Sequence, residues 1–215
     1  MKIKLVVFDV DGTLTRHNSI WWRLHEVFGT EKKGKIFYDQ FFAGEITYDQ
    51  WAHYDAALWS GKSLKEVMSV VRETELVPGA IETVRALKEA GISIAILSGG
   101  VDLLADDVAE RVGIDYVLTN KLEHSRGRLT GGVEVHVGWG EKVQEISQIV
   151  NHFGVSLDET AFVGDGRNDV SVFKCVALSI AFRPEHREVA EAAHVTVQED
   201  DLRGILPFIL GKHPA

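Results

Sequence analysis

The sequence predicts an α/β protein with a doubly wound parallel sheet, and three observations support this fold class. Over residues 79–210, amphipathic helices that stop at glycines alternate with short apolar strands, which is typical of a parallel sheet buried on both faces. A predicted buried strand at Val6, Val7 and Phe8 is followed without a break by Asp9 and Asp11. Residues 16–78 then interrupt the alternation, although a crossover between parallel strands needs only about a dozen residues. We therefore predict one sheet with an inserted helical segment.

The first strand ends at a pair of acidic residues, Asp9 and Asp11. Side chains two residues apart on a strand share a face and lie roughly 7 Å apart. Two bare carboxylates at that distance repel each other by about 2 kcal/mol at an effective dielectric constant near 20, and burial adds to the cost. A solvated strand end is the simple alternative. If the pair is buried, a cation has to offset its charge.

Residues 16–78 are predicted to be mostly helical, without a convincing strand. The segment holds eleven of the chain's nineteen aromatic residues, among them Trp21, Trp22, Trp51 and Trp59. We expect these rings to fill the core of a small helical insertion, because aromatic side chains bury large apolar surfaces. The alternative is that some of them line a pocket that faces the sheet.

Three helices are predicted after the insertion, and each stops at a glycine, at Gly91, Gly113 and Gly154. The predicted strands read, in order, "ISIAILS", "IDYVLT", "TAFVGD" and "VALSIAF". The stretch "LEHSRGRLTGGVEVHV" breaks the rhythm with alternating polarity and turn glycines, so we predict a short β-hairpin excursion there. The expected architecture is a Rossmann-like α/β core of residues 1–15 and 79–215, with residues 16–78 as a separate helical unit.

Composition and charge argue against several classes of protein. The formal net charge of −9 disfavours a nucleic-acid partner and an anionic membrane surface. No apolar run approaches the length that crosses a bilayer. The single cysteine, Cys175, rules out an internal disulfide and fits a reducing compartment, so we expect a cytoplasmic protein. The oligomeric state is left open.

Four groups of polar residues are expected at one edge of the sheet, because ligands of open parallel sheets bind beyond the carboxyl ends of the strands. These groups are Asp9 with Asp11, the run Ser98–Gly99–Gly100, Lys142 at a helix start, and Asp165 to Asp169 in "FVGDGRND". Four carboxylates and one lysine together would repel an anionic substrate. A hard divalent cation resolves this, and Mg²⁺ suits carboxylate, water and phosphate oxygens.

The same residues indicate phosphoryl transfer. Asp9 can attack phosphorus as a nucleophile and form an aspartyl-phosphate that water then cleaves. Asp11 can protonate the leaving oxygen and later activate that water. Ser98, the Gly99 amide and Lys142 can bind the phosphoryl oxygens. The expected partner is therefore a small-molecule phosphate ester.

The motifs "FDVDGTLT", "LSGG", Lys142 and "GDGRND", in this order and at strand ends, resemble the four motifs of the haloacid dehalogenase-like phosphatases. The resemblance covers residues 3 to about 205. The amino-acid sequences of the last three motifs, together with "NKL" and "GRLTGGVE", are most similar to those of the phosphoserine phosphatase branch. The resemblance implies a magnesium-dependent phosphoric monoester hydrolase in which residues 16–78 form a helical cap over the site.

The resemblance also implies a role for each motif residue. Asp9 is the expected nucleophile, and Asp11 is the expected general acid and base. The expected metal ligands are Asp9, the main-chain carbonyl of Asp11 and Asp165, with Asp169 in support. Phosphoryl contacts are expected from Ser98, Gly99 and Lys142, and a substrate contact from Asn168.

Two cap positions depart from the phosphoserine phosphatase pattern. A cap glutamate of that branch aligns with Asn18, and a cap arginine that grips the substrate carboxylate aligns with Asp55. Because Asp55 would repel a carboxylate, the alignment argues against phosphoserine as the substrate. Tyr48 and Phe42 align with apolar cap positions, which favours a bulkier or less acidic organic phosphate.

Two other functions stay open at this point. A phosphomutase on the same scaffold would return the phosphoryl group to a sugar phosphate instead of water. A receiver-like protein would use a phosphorylated aspartate as a switch. Receivers carry no inserted helical segment of this size, which favours an enzyme.

Overall fold

The computed structural model describes residues 2–140 and 142–211. In that part of the chain, seven strands form one sheet in the order β4-β3-β2-β1-β5-β6-β7. All neighbouring strands are parallel except the β3–β4 pair. The strands are β1 (Leu5–Phe8), β2 (Ser93–Val101), β3 (Tyr116–Ser125), β4 (Arg128–Glu134), β5 (Thr160–Gly164), β6 (Leu178–Phe182) and β7 (Val195–Val197).

Ten α-helices and three short 3₁₀ helices accompany the sheet within the described residues. The first five α-helices lie between the first and the second strand, and the other five follow the second strand. The α-helices are α1 (Ile20–Phe28), α2 (Glu31–Phe42), α3 (Tyr48–Leu58), α4 (Leu64–Glu73), α5 (Ala80–Glu89), α6 (Asp102–Val112), α7 (Lys142–Phe153), α8 (Val170–Phe173), α9 (Arg187–Ala192) and α10 (Leu206–Leu210).

Helices cover both faces of the sheet, and the central strand β1 shows this directly. Its side chains alternate, so that Val6 and Phe8 belong to one core cluster while Leu5 and Val7 belong to the other. Helices α5 and α6 contribute to the first cluster, and α7 and α8 contribute to the second. All four β1 side chains are fully buried, and each contributes about 1.5–3 kcal/mol through burial. The predicted doubly wound α/β fold is confirmed.

The predicted hairpin is present, although its first strand is longer than expected. The stretches "IDYVLT" and "LEHS" were expected as separate strands, but they form the single strand β3. Strand β4 returns antiparallel to it, with Ser125 paired to Arg128. Arg126 and Gly127 have φ values of 50° and 74°, which is the backbone of a two-residue turn that matches strand twist. The short edge strand β7 has three residues and was not predicted.

Residues 16–78 contain helices α1 to α4, as the sequence predicted. Ser19 caps α1 by accepting a hydrogen bond from the Trp22 N–H at 3.2 Å. Thr47 and Gln50 form a capping box at the start of α3. The division of the chain into a core of residues 1–15 and 79–215 and a cap of residues 16–78 stays a prediction.

The order of the strands determines where the site lies. Strand β1 lies between β2 and β5, so the residues that follow these three strands meet at one edge of the sheet. None of the helices in the described residues combines the length and apolar character that crossing a bilayer requires.

Candidate active site

Asp9 stands at the end of β1, where it is 4% exposed. The strand register pairs Phe8 with Ile96 on β2 and with Val163 on β5. The Asp9 N–H continues the ladder by donating to the Val163 carbonyl at 2.9 Å. Its backbone is therefore held like a strand residue, and its carboxylate is directed beyond the edge of the sheet.

Lys142 connects Asp9 to a second aspartate. It is the first residue of α7 within the described residues, and its side chain is fully buried. Its ammonium Nζ lies 2.6 Å from Asp169 Oδ1 and 3.1 Å from Asp9 Oδ1. Burial alone would lower the pKa of Lys142, but Asp169 and Asp9 outweigh it and raise that pKa above its ordinary value. Lys142 therefore stays charged and neutralises part of the acidic cluster.

Asp165 follows β5 and is held by the turn that follows β1. The Thr13 hydroxyl donates to Asp165 Oδ1 at 2.7 Å. Gly12 has a φ of 80°, and a Cβ at this position would overlap the Asp165 carboxylate. Burial, followed by repulsion from Asp9 and Asp169, raises the pKa of Asp165 well above its ordinary value.

Three carboxylates converge closely enough to bind one cation. Asp9, Asp165 and Asp169 each offer an oxygen, and these oxygens lie within 4.8 Å of one another. Asp9 Oδ1 is buried and has the Lys142 ammonium at 3.1 Å, but without the geometry of a good hydrogen bond. A set of three carboxylates with one nearby ammonium keeps excess negative charge and offers only oxygen ligands, which fits a hard divalent cation. The Asp11 carboxylate is outside this group, and the role of its main-chain carbonyl as a ligand stays a prediction.

Asp11 is oriented by the insertion. Ile20 is the first residue of α1, and its N–H donates a hydrogen bond to Asp11 Oδ1 at 2.9 Å. Burial and the nearby Asp9 raise the pKa of Asp11 to about 8, while the Ile20 N–H and Lys142 act in the opposite direction. At neutral pH the group therefore carries a proton, which suits a general acid.

Ser98, Gly99 and Gly100 are still part of β2, which runs to Val101 rather than stopping at Ser98 as expected. The Gly100 N–H donates to Ser98 Oγ at 3.1 Å. A Cβ on Gly100 would lie 2.9 Å from Asp11 Oδ2, so glycine is needed for close approach of the two strand ends. This segment forms the second wall of the site.

The Gly99 carbonyl accepts three hydrogen bonds. They come from Trp21 Nε1 at 3.0 Å, the Tyr48 hydroxyl at 3.1 Å and Asn120 Nδ2 at 3.0 Å. Two of these donors lie on the insertion, so α1 and α3 are attached to β2 at the phosphate-binding segment expected from the sequence. The sequence analysis assigned no role at the site to Asn120, although this residue begins the quoted stretch "NKL". Trp21 was named only among the rings that could line a pocket.

A cavity of about 360 Å³ lies between the insertion and the sheet edge. Six predicted site residues line it, namely Asp9, Asp11, Ser98, Gly99, Asp165 and Asn168. Lys142 and Asp169 lie behind Asp9 and are buried. Six aromatic residues of the insertion line the cavity as well: Trp21, Trp22, Tyr38, Phe42, Tyr48 and Trp51. For these six, the expectation of a purely structural core is wrong and the pocket alternative is correct, whereas Trp59 is fully buried.

A buried histidine–aspartate pair lies on the insertion side of the cavity. His25 Nε2 lies 3.1 Å from Asp55 Oδ1, and both residues line the cavity. Burial raises the pKa of Asp55, and the neighbouring His25 and Trp51 oppose that shift. The sequence analysis treated the histidines as surface or core residues, and His25 lies on no motif. The signal that was available is the α3 spacing of Tyr48, Trp51, Ala52 and Asp55, which share one helix face.

At the rim of the cavity, Asn18 donates through Nδ2 to Glu185 Oε1. Glu185 also lines the cavity. A carboxylate is thus present beside Asn18, although it comes from the segment after β6. Sequence reasoning missed this pairing because 167 residues separate the two positions.

Comparison with known proteins agrees with this geometry. Residues 6–174 match the family model described as haloacid dehalogenase-like hydrolase. The chain is 33% identical to a phosphoserine phosphatase of Methanocaldococcus jannaschii, covering 97% of this chain and 98% of the relative. A phosphoserine phosphatase of Streptomyces coelicolor is 33% identical, but the chain spans only 50% of its length.

Solved structures show the same likeness. One, described as a phospho-aspartyl intermediate analogue of phosphoserine phosphatase, is 31% identical with a TM-score of 0.83. The alignment covers 97% of this chain and 100% of that structure.

Proposed function

This chain belongs to the haloacid dehalogenase-like hydrolase family, and on that premise we propose that it is a magnesium-dependent phosphatase of small organic phosphate monoesters that acts through Asp9. It is a phosphoric monoester hydrolase of the phosphoserine phosphatase-like branch. The observation that supports the proposed mechanism is that Asp9 lines the cavity while its carboxylate contacts Lys142 and lies close to those of Asp165 and Asp169.

Asp9, Asp165 and Asp169 would hold the metal together with the main-chain carbonyl of Asp11. A bound Mg²⁺ neutralises the acidic cluster and withdraws charge from the phosphoryl oxygens. Lys142 provides the remaining positive charge. Because this ammonium is buried and paired with both Asp9 and Asp169, it also holds the Asp9 carboxylate in one orientation.

The first chemical step transfers the phosphoryl group to the protein. An Asp9 carboxylate oxygen attacks phosphorus, the phosphorus–oxygen bond to the alcohol breaks, and Asp11 gives its proton to the departing oxygen. The pKa of Asp11, raised to about 8 mainly by burial, supports this acid role at neutral pH. The products of the step are the alcohol and an aspartyl-phosphate.

The second step regenerates the carboxylate. Asp11, now deprotonated, takes a proton from a water molecule as that water attacks phosphorus. The bond between phosphorus and the Asp9 oxygen breaks, and inorganic phosphate leaves. Through both steps Ser98 and the Gly99 N–H would hold the phosphoryl oxygens, and Asn168 would contact the substrate. The three hydrogen bonds to the Gly99 carbonyl hold the Gly99–Gly100 peptide unit, which is next to the unit that carries the Gly99 N–H.

The substrate is proposed to be an ester other than phosphoserine. Asp55 lies where the branch's carboxylate-binding arginine aligns, and it lines the cavity. The six aromatic side chains of the insertion leave room for a leaving group with apolar surface. We further propose a cytoplasmic enzyme with no nucleic-acid or membrane partner. Nothing in the described residues favours a phosphomutase or a receiver-like switch over hydrolysis.

The direct test is release of phosphate from p-nitrophenyl phosphate in the presence of Mg²⁺. We expect Asp9→Asn to lose activity by on the order of 10⁴-fold or more, because the nucleophile is removed. Asp158→Asn, at an exposed position, is the matched control and should keep full activity. Mass spectrometry after rapid acid quenching should detect a phosphorylated protein that Asp9→Asn does not form.

Two results would contradict the proposal. Activity that survives Asp9→Asn would exclude this residue as the nucleophile. Strong and selective turnover of phosphoserine would show that the interpretation of Asp55 is wrong, while leaving the mechanism intact.

A further inference from the structure

We propose that the substrate of this phosphatase carries a positive charge on its leaving group, as the phosphate monoester of an alkylammonium alcohol, and that Asp55 and the surrounding aromatic side chains bind this cation. The inference rests on the proposed function of the same cavity. Its basis is the chemistry of the cavity wall opposite the catalytic aspartates.

Acidic side chains outnumber basic side chains in the cavity lining. The acidic residues are Asp9, Asp11, Asp55, Asp165 and Glu185, of which Asp11 carries a proton at neutral pH. Arg167 is the one lysine or arginine that lines it in the described part of the chain, and its guanidinium is paired with Glu188 outside the cavity. Lys142 pairs with Asp9 and Asp169, and a bound metal would be held by the catalytic aspartates. A leaving group with its own negative charge would therefore meet the Asp55 carboxylate, to which no lysine or arginine of the described residues is paired.

Aromatic rings surround the acidic wall. Besides the six from the insertion, Trp139 lines the cavity from the segment after β4. Trp139 lies 5.4 Å from Phe42 and 6.4 Å from Trp51, measured between ring centroids. Tyr48 and Trp51 lie 5.9 Å apart and are nearly perpendicular. These rings contact one another and all line the cavity, so this wall offers the aromatic surface on which alkylammonium groups bind.

Asp55 lies further along α3 than Tyr48, the residue that contacts the predicted phosphate-binding segment. Tyr48, Trp51, Ala52 and Asp55 occupy one face of α3 and all line the cavity. The Tyr48 hydroxyl reaches the Gly99 carbonyl at the phosphoryl end. Asp55 comes seven residues later, which is about 10 Å further along the helix axis. The cationic group is therefore expected several bonds away from the phosphate.

The neighbours of Asp55 leave its carboxylate weakly bonded at this wall. Its one ion-pair partner among the described residues is His25, whose Nε2 lies 3.1 Å from Asp55 Oδ1. Asp55 Oδ1 is buried, and this contact lacks the geometry of a good hydrogen bond. A buried carboxylate in this situation is stabilised by a bound cation.

The experiment compares charged esters with neutral esters of the same shape. The probes are trimethylammonio-alkyl phosphates with two, four or six methylenes, and isosteres in which carbon replaces nitrogen. With wild-type enzyme and Mg²⁺, we expect kcat/KM to be at least about tenfold higher for the cation at one or more lengths, mostly through KM. Phosphoserine should be poorer than every cationic probe.

Variants test which residue binds the cation. In Asp55→Asn, kcat/KM for the cationic ester should be within about twofold of that for its neutral isostere, because the side chain keeps its shape and loses its negative charge. Glu185→Gln removes the same charge from an exposed rim position and should keep most of the ratio. Should Asp55→Asn fail to fold, Trp51→Leu tests the aromatic contribution and should lower the same ratio.

The possible failures are distinguishable. If p-nitrophenyl phosphate is hydrolysed but the isosteres match or exceed the cations at every length, the inference is wrong and the phosphatase assignment stands. The same holds if no alkyl probe is hydrolysed, or if the ratio survives Asp55→Asn. If no phosphate ester at all is hydrolysed with Mg²⁺, the proposed function itself fails.

Discussion

The ammonium of Lys142 lies 2.6 Å from the carboxylate of Asp169, and both side chains are fully buried. Burial raises the pKa of Asp169 even though Lys142 opposes the shift, and the pKa of Lys142 itself is raised by Asp169 and Asp9 against the effect of burial. The buried ammonium of Lys142 and the buried carboxylate of Asp169 therefore stabilise each other's charge. Removal of either side chain would leave the other as an unpaired charge in the interior.

Replacing Lys142 by methionine is expected to cost about 3–5 kcal/mol of unfolding free energy, because buried Asp9 and Asp169 lose their counter-charge. The folded-state pKa of Lys142 lies above its ordinary value, so this stabilisation is complete at neutral pH and is lost only in strong alkali. Urea unfolding without metal measures the loss. Lys174→Met, at an exposed position, should change stability by less than about 0.5 kcal/mol. A loss below about 1 kcal/mol for Lys142→Met would contradict this account.

Mg²⁺ is expected to stabilise the fold through the Asp9, Asp165 and Asp169 group. A ligand at a hundredfold excess over its dissociation constant adds about 2.7 kcal/mol to the unfolding free energy. The midpoint of thermal unfolding should therefore rise with Mg²⁺ and fall back with a chelator. Asp165→Asn should abolish the shift, whereas the exposed Asp158→Asn should retain it. An equal shift in both variants would place the ion elsewhere.

Asp11 should matter most for esters with poor leaving groups. Its pKa is raised to about 8, so the protonated acid dominates below that pH and is lost above it. Hydrolysis of an alkyl phosphate should decline as pH rises through about 8, because the departing alkoxide needs a proton. Asp11→Asn should slow alkyl esters by roughly 10²–10⁴-fold and slow p-nitrophenyl phosphate much less. Equal losses for the two esters would argue against proton donation by Asp11.

The charge on Asp55 is expected to destabilise the unliganded fold. Burial raises the pKa of Asp55 above the ordinary value of 3.8, so above that pH the folded protein binds more protons at this group than the unfolded chain until the folded-state group has titrated. Over that range the contribution of Asp55 to the unfolding free energy falls as pH rises. Asp55→Asn should therefore gain stability relative to wild type as pH rises from the ordinary value of 3.8. Asp49→Asn, exposed on the same helix, should show no such trend in urea unfolding without metal, and a matching trend would refute the assignment.

We expect that a glycine is needed at position 34 because the imidazole of His25 leaves no space for a side chain there, and not because of the conformation of α2. A Cβ at Gly34 in α2 would overlap the imidazole of His25. Gly34→Ala should destabilise the protein, although alanine favours a helix by about 1 kcal/mol. In a His25→Ala background the same change should become stabilising. A double-mutant cycle by urea unfolding measures this coupling, and additive effects would exclude the contact.

Much of the site follows from local sequence, and the reason is geometric. Asp9 and Asp165 each follow a short apolar strand, and the carboxyl ends of neighbouring parallel strands meet at one edge. Once the α/β rhythm is recognised, these residues can be placed together without a structure. Lys142 is harder, since a lysine at a helix start is usually solvated. Only its position in the ordered set of motifs indicated a buried role.

The cavity's other wall could not be predicted in this way. Whether Trp51 or Trp59 fills a core or lines a pocket depends on how α1 to α4 pack over the sheet, and helical periodicity does not encode that orientation. The contact of Asn18 with Glu185 and the pairing of His25 with Asp55 both join residues distant in sequence. Strand β7 was missed because three residues are too few for a periodic pattern.

The sequence by itself determined the fold class and the acidic edge of the sheet, because strand periodicity and helix-stopping glycines are local properties. The family was indicated by the resemblance of its ordered motifs. Only the tertiary structure decided which aromatic rings face the substrate and which charge stands opposite the phosphate. Those properties arise from the packing of the insertion against β2, through the bonds of Trp21 and Tyr48 to Gly99. Contacts of this kind form between distant segments, so no stretch of the chain carries them alone.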